Sequence, residues 1–316
     1  MSAQQEPSIA VVIPAYRVAG HVQSVVARVP SVVRHIIVVD DASPDLLQDV
    51  LAKVAEPRLI VLRHEVNRGV GGAMKTGIQR ALELGADIVV KVDGDGQMDP
   101  ALIPQFVKPI VSGEADFAKG NRFDDLSVIR AMPLVRRAGN LALSFLVKLA
   151  SGYWHAFDPT NGYVALRASI LERVNPNRLA DRYFFEISLL CEAYFAKAVL
   201  QDIPMRPVYA DETSSLSPLA ALGDFAPRLV GRSIKRIFLN YFMRDFNVVS
   251  VLLLAGVPSF AFGIIWSAYH WVQSARLQVV ASTGTVIVGM LPIVLGFQLL
   301  LQALVLDVGN EPKRHR

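Results

Sequence analysis

The stretch Asp87-Ile-Val-Val-Lys-Val92, followed by Asp93-Gly-Asp95-Gly-Gln97, joins a short apolar run to a group of oxygen-bearing side chains. The apolar run predicts a buried strand that ends just before Asp93. Carboxylate and amide oxygens suit a hard divalent cation, so Asp93, Asp95 and Gln97 predict a Mg²⁺ or Mn²⁺ site at the end of this strand. A surface turn rich in glycine and aspartate is the alternative interpretation of the same residues.

Short apolar runs alternate with helix-length segments on the N-terminal side of this strand. Further strands are predicted at Ile9–Ile13, Ile36–Val39 and Leu59–Leu62, and a helix is predicted from Ala73 to Leu84. Strands that are apolar throughout, rather than alternately, predict a parallel sheet covered by helices on both faces. Such a sheet binds ligands at the carboxyl ends of its strands. The predicted fold class is therefore α/β, with a mostly parallel sheet flanked by helices.

The glycines of the chain do not have the spacing of a dinucleotide-binding motif. That motif requires Gly-x-Gly-x-x-Gly directly after the first strand, where this chain has Pro14-Ala-Tyr-Arg17. The cluster Gly69-Val-Gly71-Gly72 follows the third strand instead. We interpret it as a helix-opening loop whose amides, with Arg68 and Lys75, can approach diphosphate oxygens. A tight turn without a ligand is the alternative.

The composition indicates a membrane protein. The chain is 52% hydrophobic and 19% charged, whereas an average soluble domain has roughly 25% charged residues. Phe246 to Ala275 and Leu277 to Leu306 contain no Asp, Glu, Lys or Arg, and only Arg276 separates them. Because a span needs about 20 apolar residues, two transmembrane helices are predicted. A pair of buried core helices is the alternative.

Basic residues flank the predicted spans and predict their orientation. They are Arg228, Arg232, Lys235, Arg236 and Arg244 before the first span, and Lys313, Arg314 and Arg316 after the second. The connecting loop holds only Arg276, so both ends are expected on the cytoplasmic side of the cell inner membrane. The polar segment Met1 to Pro7 has no apolar core for export, and the single Cys191 fits a reducing compartment.

Four regions follow from these patterns. They are a cytoplasmic α/β domain at residues 1–217, amphipathic juxtamembrane helices at 218–246, two membrane spans at 247–306 and a basic tail at 307–316. The net charge of +4 is explained by basic residues beside anionic lipid. No nucleic-acid motif accompanies that charge, so no nucleic-acid partner is expected. A homo-oligomer is left open.

The chain has six short motifs whose order resembles that of a known family. They are Ile13-Pro14-Ala15-Tyr16, Val39-Asp40-Asp41-Ala-Ser43-Pro-Asp45, Asn67-Arg-Gly69, Asp93-Gly-Asp95-Gly-Gln97, Gly120-Asn-Arg122 and Asp158-Pro-Thr-Asn-Gly162-Tyr163. The order resembles the family 2 glycosyltransferases with the GT-A fold. With two C-terminal spans, the chain is most similar to their polyprenyl-phosphate branch, which includes dolichol-phosphate mannose synthases and bacterial polyprenyl-phosphate glucosyltransferases.

The resemblance implies a donor site for a nucleotide-diphosphate sugar. Pro14, Tyr16 and Asp41 would line the nucleobase and ribose pocket, with Asp41 accepting a hydrogen bond from the base. The Asp93–Gln97 motif would hold a cation that bridges the two phosphates of the donor. The chain departs from many relatives at Arg17-Val18, where they carry Asn-Glu, so contacts from that glutamate are absent.

The resemblance also implies an acceptor site for a polyprenyl phosphate. Arg122, Arg136 and Arg137 resemble the acceptor-phosphate residues of the family, and Asn140 lies near a position often held by a small polar residue. The planar guanidinium of arginine suits phosphate. Alternatively, Arg136 and Arg137 face solvent or lipid headgroups. Asp158 would orient the acceptor or a sugar hydroxyl, or else cap the turn at Asp158-Pro159.

The implied reaction is inverting transfer of a hexose, because a single in-line displacement inverts the anomeric carbon. The acceptor is already an anion at neutral pH, so positioning and leaving-group stabilisation matter more than proton removal. Asp95 and Asp158 are the candidate catalytic residues. Glu186 contacts the sugar in one interpretation and pairs with an arginine in another. A processive polysaccharide synthase and a non-catalytic sugar-nucleotide sensor are the alternative functions.

Overall fold

The structure is a computed structural model that describes residues 6–122, 134–205 and 218–314, apart from the side chains of residues 135, 136 and 218–224. The chain forms two compact units. The first comprises Met1–Arg232 and Pro312–Arg316, and the second comprises Ser233–Glu311.

A mixed sheet organises the first unit. Its strands are β1 (Ile9–Ala15), β2 (His35–Asp40), β3 (Leu59–Arg63), β4 (Ile88–Lys91), β5 (Phe117–Asn121), β6 (Val164–Arg167) and β7 (Leu200–Pro204). They lie in the order β3-β2-β1-β4-β6-β5-β7. Only β6 runs antiparallel to its neighbours, β4 and β5. The predicted mostly parallel sheet is confirmed, and the four predicted strands correspond to β1 to β4.

Helices cover both faces of this sheet. Those of the first unit are α1 (Val22–Ala27), α2 (Leu47–Leu51), α3 (Val70–Glu83), α4 (Ile103–Val111), α5 (Leu134–Ser151), α6 (Ala168–Leu171) and α7 (Phe185–Phe195), and α8 (Pro218–Phe238) continues into the second unit. Alternate residues of β1 pack into two separate hydrophobic cores, one on each face of the sheet. Val12 packs in one core with Met74 of α3. Ile13 packs in the other with Phe106 of α4. Because both faces are covered, the strand is apolar throughout.

The direction of β6 determines which loops meet at the edge that carries the site. The carboxyl ends of β1, β2, β4 and β5 lie at one edge of the sheet, since these strands point the same way. The amino end of β6 lies at that same edge because β6 is antiparallel. The motif Asp158–Tyr163, which precedes β6, is therefore brought beside the ends of β4 and β5.

The second unit is dominated by two long apolar helices, α9 (Val248–Leu277) and α10 (Thr283–Gly309). Both are long and apolar enough to cross a membrane, and little of either is buried within the structure. They pack closely at glycines: a Cβ on Gly263 would lie 2.7 Å from the carbonyl oxygen of Gly289. Exposed apolar faces of this extent are unusual in a soluble protein. The second helix extends to Gly309, beyond the predicted end of the span at residue 306.

Arg236, one of the basic residues that precede the first predicted span, is buried in the second unit. Its two terminal nitrogens donate to the carboxylate of Asp307 at 2.8 and 2.7 Å. The hydroxyl of Tyr241, in the six-residue π-helix Leu239–Arg244, donates to the same carboxylate. A buried guanidinium needs such a partner, because an unpaired charge away from water is costly. The sequence pattern grouped Arg236 with the exposed basic residues. It could not reveal Asp307, the partner of Arg236, which lies 71 residues away in the chain.

Candidate active site

A cavity of about 600 Å³ lies at the carboxyl edge of β1, β2 and β4, where the sheet predicts a ligand site. Five parts of the chain line it: Pro14–Val18 at the end of β1, Asp41 after β2, the loop and first turn of α3, Lys91–Asp95 at the end of β4, and Arg182–Glu186 before and within α7. Its volume lies within the range of about 300–1,000 Å³ that small ligands and cofactors occupy. The first unit therefore contains a site large enough for a nucleotide.

Two of the three predicted metal ligands line this cavity. Asp93 and Asp95 do so, whereas Gln97 does not line the cavity and its side chain is exposed. The backbone amide of Gln97 donates a hydrogen bond to Asp95 Oδ1 at 3.0 Å. No group of three or more His, Cys, Asp or Glu side chains with metal-binding geometry occurs in the described parts of the chain. Two carboxylates nevertheless fit Mg²⁺ or Mn²⁺, because such ions often take one or two protein carboxylates and complete their shell with substrate phosphates and water.

Lys91 is a site residue that the sequence analysis missed. Its ammonium is buried, 2.5 Å from Asp93 Oδ1 and 3.3 Å from Glu186 Oε1. Burial alone would lower the pKa of Lys91, but the carboxylates of Asp93 and Glu186 outweigh burial and raise the pKa above its usual value. Lys91 therefore stays charged and holds both carboxylates. A lysine inside the apolar run of β4 was the available signal, and Glu186 pairs with this lysine rather than with an arginine.

Gly162 makes the contact between Lys91 and Asp93 possible. A Cβ at this position would lie 2.6 Å from Lys91 Nζ and 3.1 Å from Asp93 Oδ2. Both distances are shorter than non-bonded atoms accept without displacement. The glycine in the motif before β6 thus leaves room for the charged pair at the cavity wall.

Asp41 lines the cavity, but its carboxylate already accepts three hydrogen bonds. Oδ1 accepts from His64 Nδ1 at 2.7 Å and from the Arg68 amide at 2.8 Å, and Oδ2 accepts from the Gly69 amide at 2.7 Å. The carboxylate therefore fixes the loop that opens α3. This role differs from the predicted one, in which Asp41 bonds a nucleobase, and it uses most of the oxygen lone pairs.

Pro14 and Tyr16 lie in the cavity wall at the end of β1, and their contact with a nucleobase stays a prediction. The Tyr16 side chain is half-exposed, and the Arg17 guanidinium lies 5.3 Å from its ring centroid. Arg17 has a left-handed backbone, with φ of 58°, and its amide donates to Ser43 Oγ at 2.7 Å. The hydrogen bond ties the loop after β1 to the loop after β2, and both Tyr16 and Arg17 line the cavity.

The glycine cluster makes different contacts from those predicted. The amides of Gly71 and Gly72 donate to the carbonyl oxygen of Asp181 at 2.8 and 3.0 Å, and so are not directed at a phosphate. Lys75 Nζ lies 2.6 Å from Asp181 Oδ1. Neither Arg68 nor Lys75 lines the cavity. The amides of Gly71 and Gly72 thus bind the segment around Asp181, whereas a contact of Arg68 or Lys75 with the donor diphosphate stays a prediction.

Two residues that were predicted separately, Arg122 and Asp158, form a pair. Arg122 Nε and Nη2 donate to the buried carboxylate of Asp158 at 2.7 and 3.1 Å. Asn161 Nδ2 donates to the same carboxylate at 3.2 Å. Asp158 therefore orients the guanidinium of Arg122 at the end of β5, which is a charge-assisted, two-point contact.

The remaining predicted acceptor residues lie on α5. Arg137 and Asn140 are half-buried there and do not line the cavity. The side chain of Arg136 lies outside the described residues. Their predicted contact with an acceptor phosphate stays a prediction.

Two further charged groups, Lys119 and Asp202, lie close enough to Asp158 to interact with its charge. Burial lowers the pKa of Lys119 to about 8, although the carboxylate of Asp158 opposes this shift. Burial raises the pKa of Asp202 to about 6, although the Phe157 amide donates to its Oδ2 at 2.8 Å. Its other oxygen, Oδ1, is buried and accepts no hydrogen bond from the residues that the structure describes.

Asp202→Asn is expected to stabilise the protein at neutral pH but not at pH 4. The folded pKa of about 6 lies above the usual value of 3.8, so ionisation of Asp202 destabilises the fold as pH rises through this window. We expect a gain of about 1–2 kcal/mol at pH 7.5, after allowance for solvent screening. Denaturant unfolding of both proteins at pH 4 and 7.5 measures it. An equal effect at the two pH values would contradict the assignment.

The fold and the site together define the class of the protein. A mostly parallel sheet with a single reversed strand, and a nucleotide-sized cavity lined by two carboxylates after a central strand, are features of a GT-A glycosyltransferase. The chain matches glycosyl transferase family 2 over residues 10–174. It belongs to this family of enzymes.

Two relatives extend the comparison. The chain is 32% identical to a UDP-N-acetylglucosamine–dolichyl-phosphate N-acetylglucosaminyltransferase of Methanococcus voltae, over 64% of this chain and 86% of the relative. It is 30% identical to a polyprenol monophosphomannose synthase of Mycolicibacterium smegmatis, over 58% and 71%. The family that the sequence resembles is confirmed.

A solved structure supports the fold. Glucosyl-3-phosphoglycerate synthase of Mycobacterium tuberculosis, in complex with Mn²⁺, UDP and glucosyl-3-phosphoglycerate, superimposes with a TM-score of 0.52. The match covers 73% of this chain and 80% of the other, at 20% identity. At this identity the likeness concerns the GT-A fold alone.

Proposed function

We propose that this enzyme transfers a hexose or an N-acetylhexosamine from a nucleotide-diphosphate sugar to a membrane polyprenyl phosphate, with inversion at the anomeric carbon. The observation that carries the proposal is the joint placement of Asp93, Asp95 and Tyr16 around one cavity. Two apolar helices long enough to span a bilayer support a lipid acceptor. The names of both relatives, which specify dolichyl and polyprenol phosphates, support the same acceptor class.

The donor pocket would hold the nucleotide between the loops after β1 and β4. Tyr16 offers an aromatic face for the nucleobase, and Pro14 lies beside it. Asp93 and Asp95 would hold Mg²⁺ or Mn²⁺. The cation would neutralise the charge that develops on the departing nucleoside diphosphate. Lys91 keeps the carboxylate of Asp93 in place through their ion pair.

The proposed reaction is a single displacement. An oxygen of the acceptor phosphate attacks the anomeric carbon and forms the new C–O bond. The bond from this carbon to the donor's β-phosphate oxygen breaks, and its electron pair leaves with the nucleoside diphosphate. The attacking oxygen is already anionic at neutral pH, so no general base is required. Asp158 then acts by holding Arg122 rather than by taking a proton.

We further propose that α9 and α10 form a membrane hairpin whose two flanks lie on the same side. Residues on both flanks, up to Arg232 and from Pro312, belong to the first unit. After α10, Arg314 Nη2 lies 2.6 Å from Asp116 Oδ1, just before β5. The basic flanks support a cytoplasmic orientation in the inner membrane. The division at residues 217, 246 and 306 remains part of this proposal.

Transfer assays with the purified full-length protein in detergent test the proposed function. Radiolabelled UDP- and GDP-sugars are offered one at a time with undecaprenyl or dolichyl phosphate and Mn²⁺, and the lipid is then extracted. We expect label in the lipid phase with one donor and none when the lipid phosphate is omitted. Label that is independent of the lipid phosphate, or absent with every donor, would contradict the proposal.

Arg122→Ala is expected to weaken use of the acceptor more than use of the donor. Loss of a charge-assisted contact to phosphate should raise the KM for polyprenyl phosphate by about 10- to 100-fold and leave the KM for the nucleotide sugar nearly unchanged. Arg173→Ala is the matched control, because that side chain is exposed and, among the described residues, bonds only the Ser169 carbonyl. A parallel rise of both KM values in Arg122→Ala would place Arg122 at the donor instead.

A further inference from the structure

A short segment before α7 lies across the start of α3 and reaches the cavity. We call this segment, Ala180–Tyr183, the strap. The carbonyl oxygen of Asp181 accepts hydrogen bonds from the amides of Gly71 and Gly72 at the start of α3. Its carboxylate lies 2.6 Å from Lys75 Nζ, one turn further along the helix. The next residue, Arg182, lines the cavity. Backbone and side-chain contacts thus fix the strap immediately beside Arg182.

The glycine cluster provides the space that the strap occupies. A Cβ at Gly71 would lie 2.0 Å from the carbonyl oxygen of Ala180. A Cβ at Gly69 would lie 2.6 Å from the carbonyl oxygen of Asp181 and 2.8 Å from Arg182 Cγ. Gly69 also has φ of 82°, a left-handed conformation that favours glycine. The first amides of α3 therefore bind a backbone carbonyl, and the strap places a guanidinium next to the cavity.

Arg182 lacks an anionic partner within the described residues. Its side chain is exposed, and its guanidinium makes neither a hydrogen bond nor an ion pair with any of them. The buried cation of the cavity wall, Lys91, is already held between Asp93 and Glu186. A planar guanidinium at the wall of a nucleotide-sized cavity matches phosphate oxygens, to which it can donate two parallel hydrogen bonds.

We propose that Arg182 binds the diphosphate of the nucleotide-sugar donor, and that the glycine cluster and Lys75 serve to position it. This inference rests on the proposed function. The donor rather than the acceptor is the expected partner, because Arg182 stands against Gly69 and shares the cavity wall with Tyr16 and Asp41 on the proposed nucleotide side. A lipid phosphate offers the same chemistry, so the experiment has to separate the two sources.

Calorimetric titration of the full-length protein in detergent with Mn²⁺ provides the test. Uridine, UMP and UDP are the probes, or the guanosine series if the wild-type protein binds GDP more tightly. Arg182→Gln should raise the Kd for the nucleoside diphosphate by about 10- to 100-fold. The Kd for the monophosphate should rise less, and the Kd for the nucleoside should not change. Arg178→Gln is the matched control, since Arg178 lies outside the cavity wall, 3.7 Å from Glu192. It should leave all three Kd values unchanged.

Lys75→Met separates positioning from direct contact. It should weaken diphosphate binding less than Arg182→Gln, and adding it to Arg182→Gln should cause little further loss, because both changes act through one guanidinium. Unchanged diphosphate affinity in Arg182→Gln would overturn the inference. So would a rise only in the KM for polyprenyl phosphate, which would place Arg182 at the acceptor. A wild-type protein that binds no nucleotide would instead refute the proposed function itself.

Discussion

Asp95→Asn is expected to reduce glycosyl transfer by about a thousandfold or more, because a lost cation ligand forfeits several kcal/mol of charge stabilisation. Asp95 lines the cavity, and the hydrogen bond that its Oδ1 accepts from the Gln97 amide can be kept by an asparagine. The substitution should therefore leave the fold intact. Label transferred to extracted lipid measures the loss, and thermal unfolding checks the fold.

Asp99→Asn is the matched control for Asp95→Asn. Asp99 lies in the same loop, but its side chain caps the short 3₁₀-helix Pro100–Leu102 by accepting from the Ala101 amide, and it does not line the cavity. An asparagine retains this cap, so transfer should persist. Full turnover by Asp95→Asn, or by the wild-type enzyme in excess EDTA, would be incompatible with a cation at Asp93 and Asp95.

Arg236→Met is expected to destabilise the second unit by about 3–5 kcal/mol, because it leaves the buried carboxylate of Asp307 without its charged partner. The double variant Arg236→Met/Asp307→Leu should regain most of this loss, since no buried charge remains unpaired. Denaturant or thermal unfolding in one detergent measures both, reported as half-lives if unfolding is irreversible. Arg276→Met is the control, because Arg276 is exposed in the same unit. Equal loss in the single and double variants would show that the ion pair is not responsible.

The sequence predicts the first half of the sheet better than the second. β1 to β4 are apolar runs, and local pattern suffices to find them. β5, Phe117-Ala-Lys-Gly-Asn121, and β7, Leu200-Gln-Asp-Ile-Pro204, carry polar residues within short strands. Their place in the sheet depends on pairing with each other and on the reversed strand β6. Such pairing is a tertiary effect that outweighs local preference.

The candidate site shows the same division. Asp93, Asp95 and Tyr16 follow strands, so the rule that ligands bind at carboxyl edges locates them at the cavity. Partners distant in sequence could not be read from local patterns. Lys75 meets Asp181 across 106 residues, and Arg122 meets Asp158 across 36.

These long-range pairs change the roles assigned to individual residues. Backbone contacts cannot be read from the sequence either. The Asp181 carbonyl accepts hydrogen bonds from the amides of Gly71 and Gly72, which the motif alone would assign to a phosphate. Asp41 likewise fixes a loop through amides of residues more than 25 positions away. Residue type and order therefore indicate the chemistry of the site, whereas the packing decides which groups face the ligand.

The mass of the lipid product tests the central claim most directly. The purified enzyme is incubated with polyprenyl phosphate, Mn²⁺ and the donor it uses, and the extracted lipid is analysed by mass spectrometry. Our account predicts one product, heavier than the acceptor by a single glycosyl residue and lacking any added phosphorus, which does not form in EDTA. A lipid diphosphate sugar would contradict transfer at the anomeric carbon, and donor hydrolysis without any lipid product would contradict a lipid acceptor.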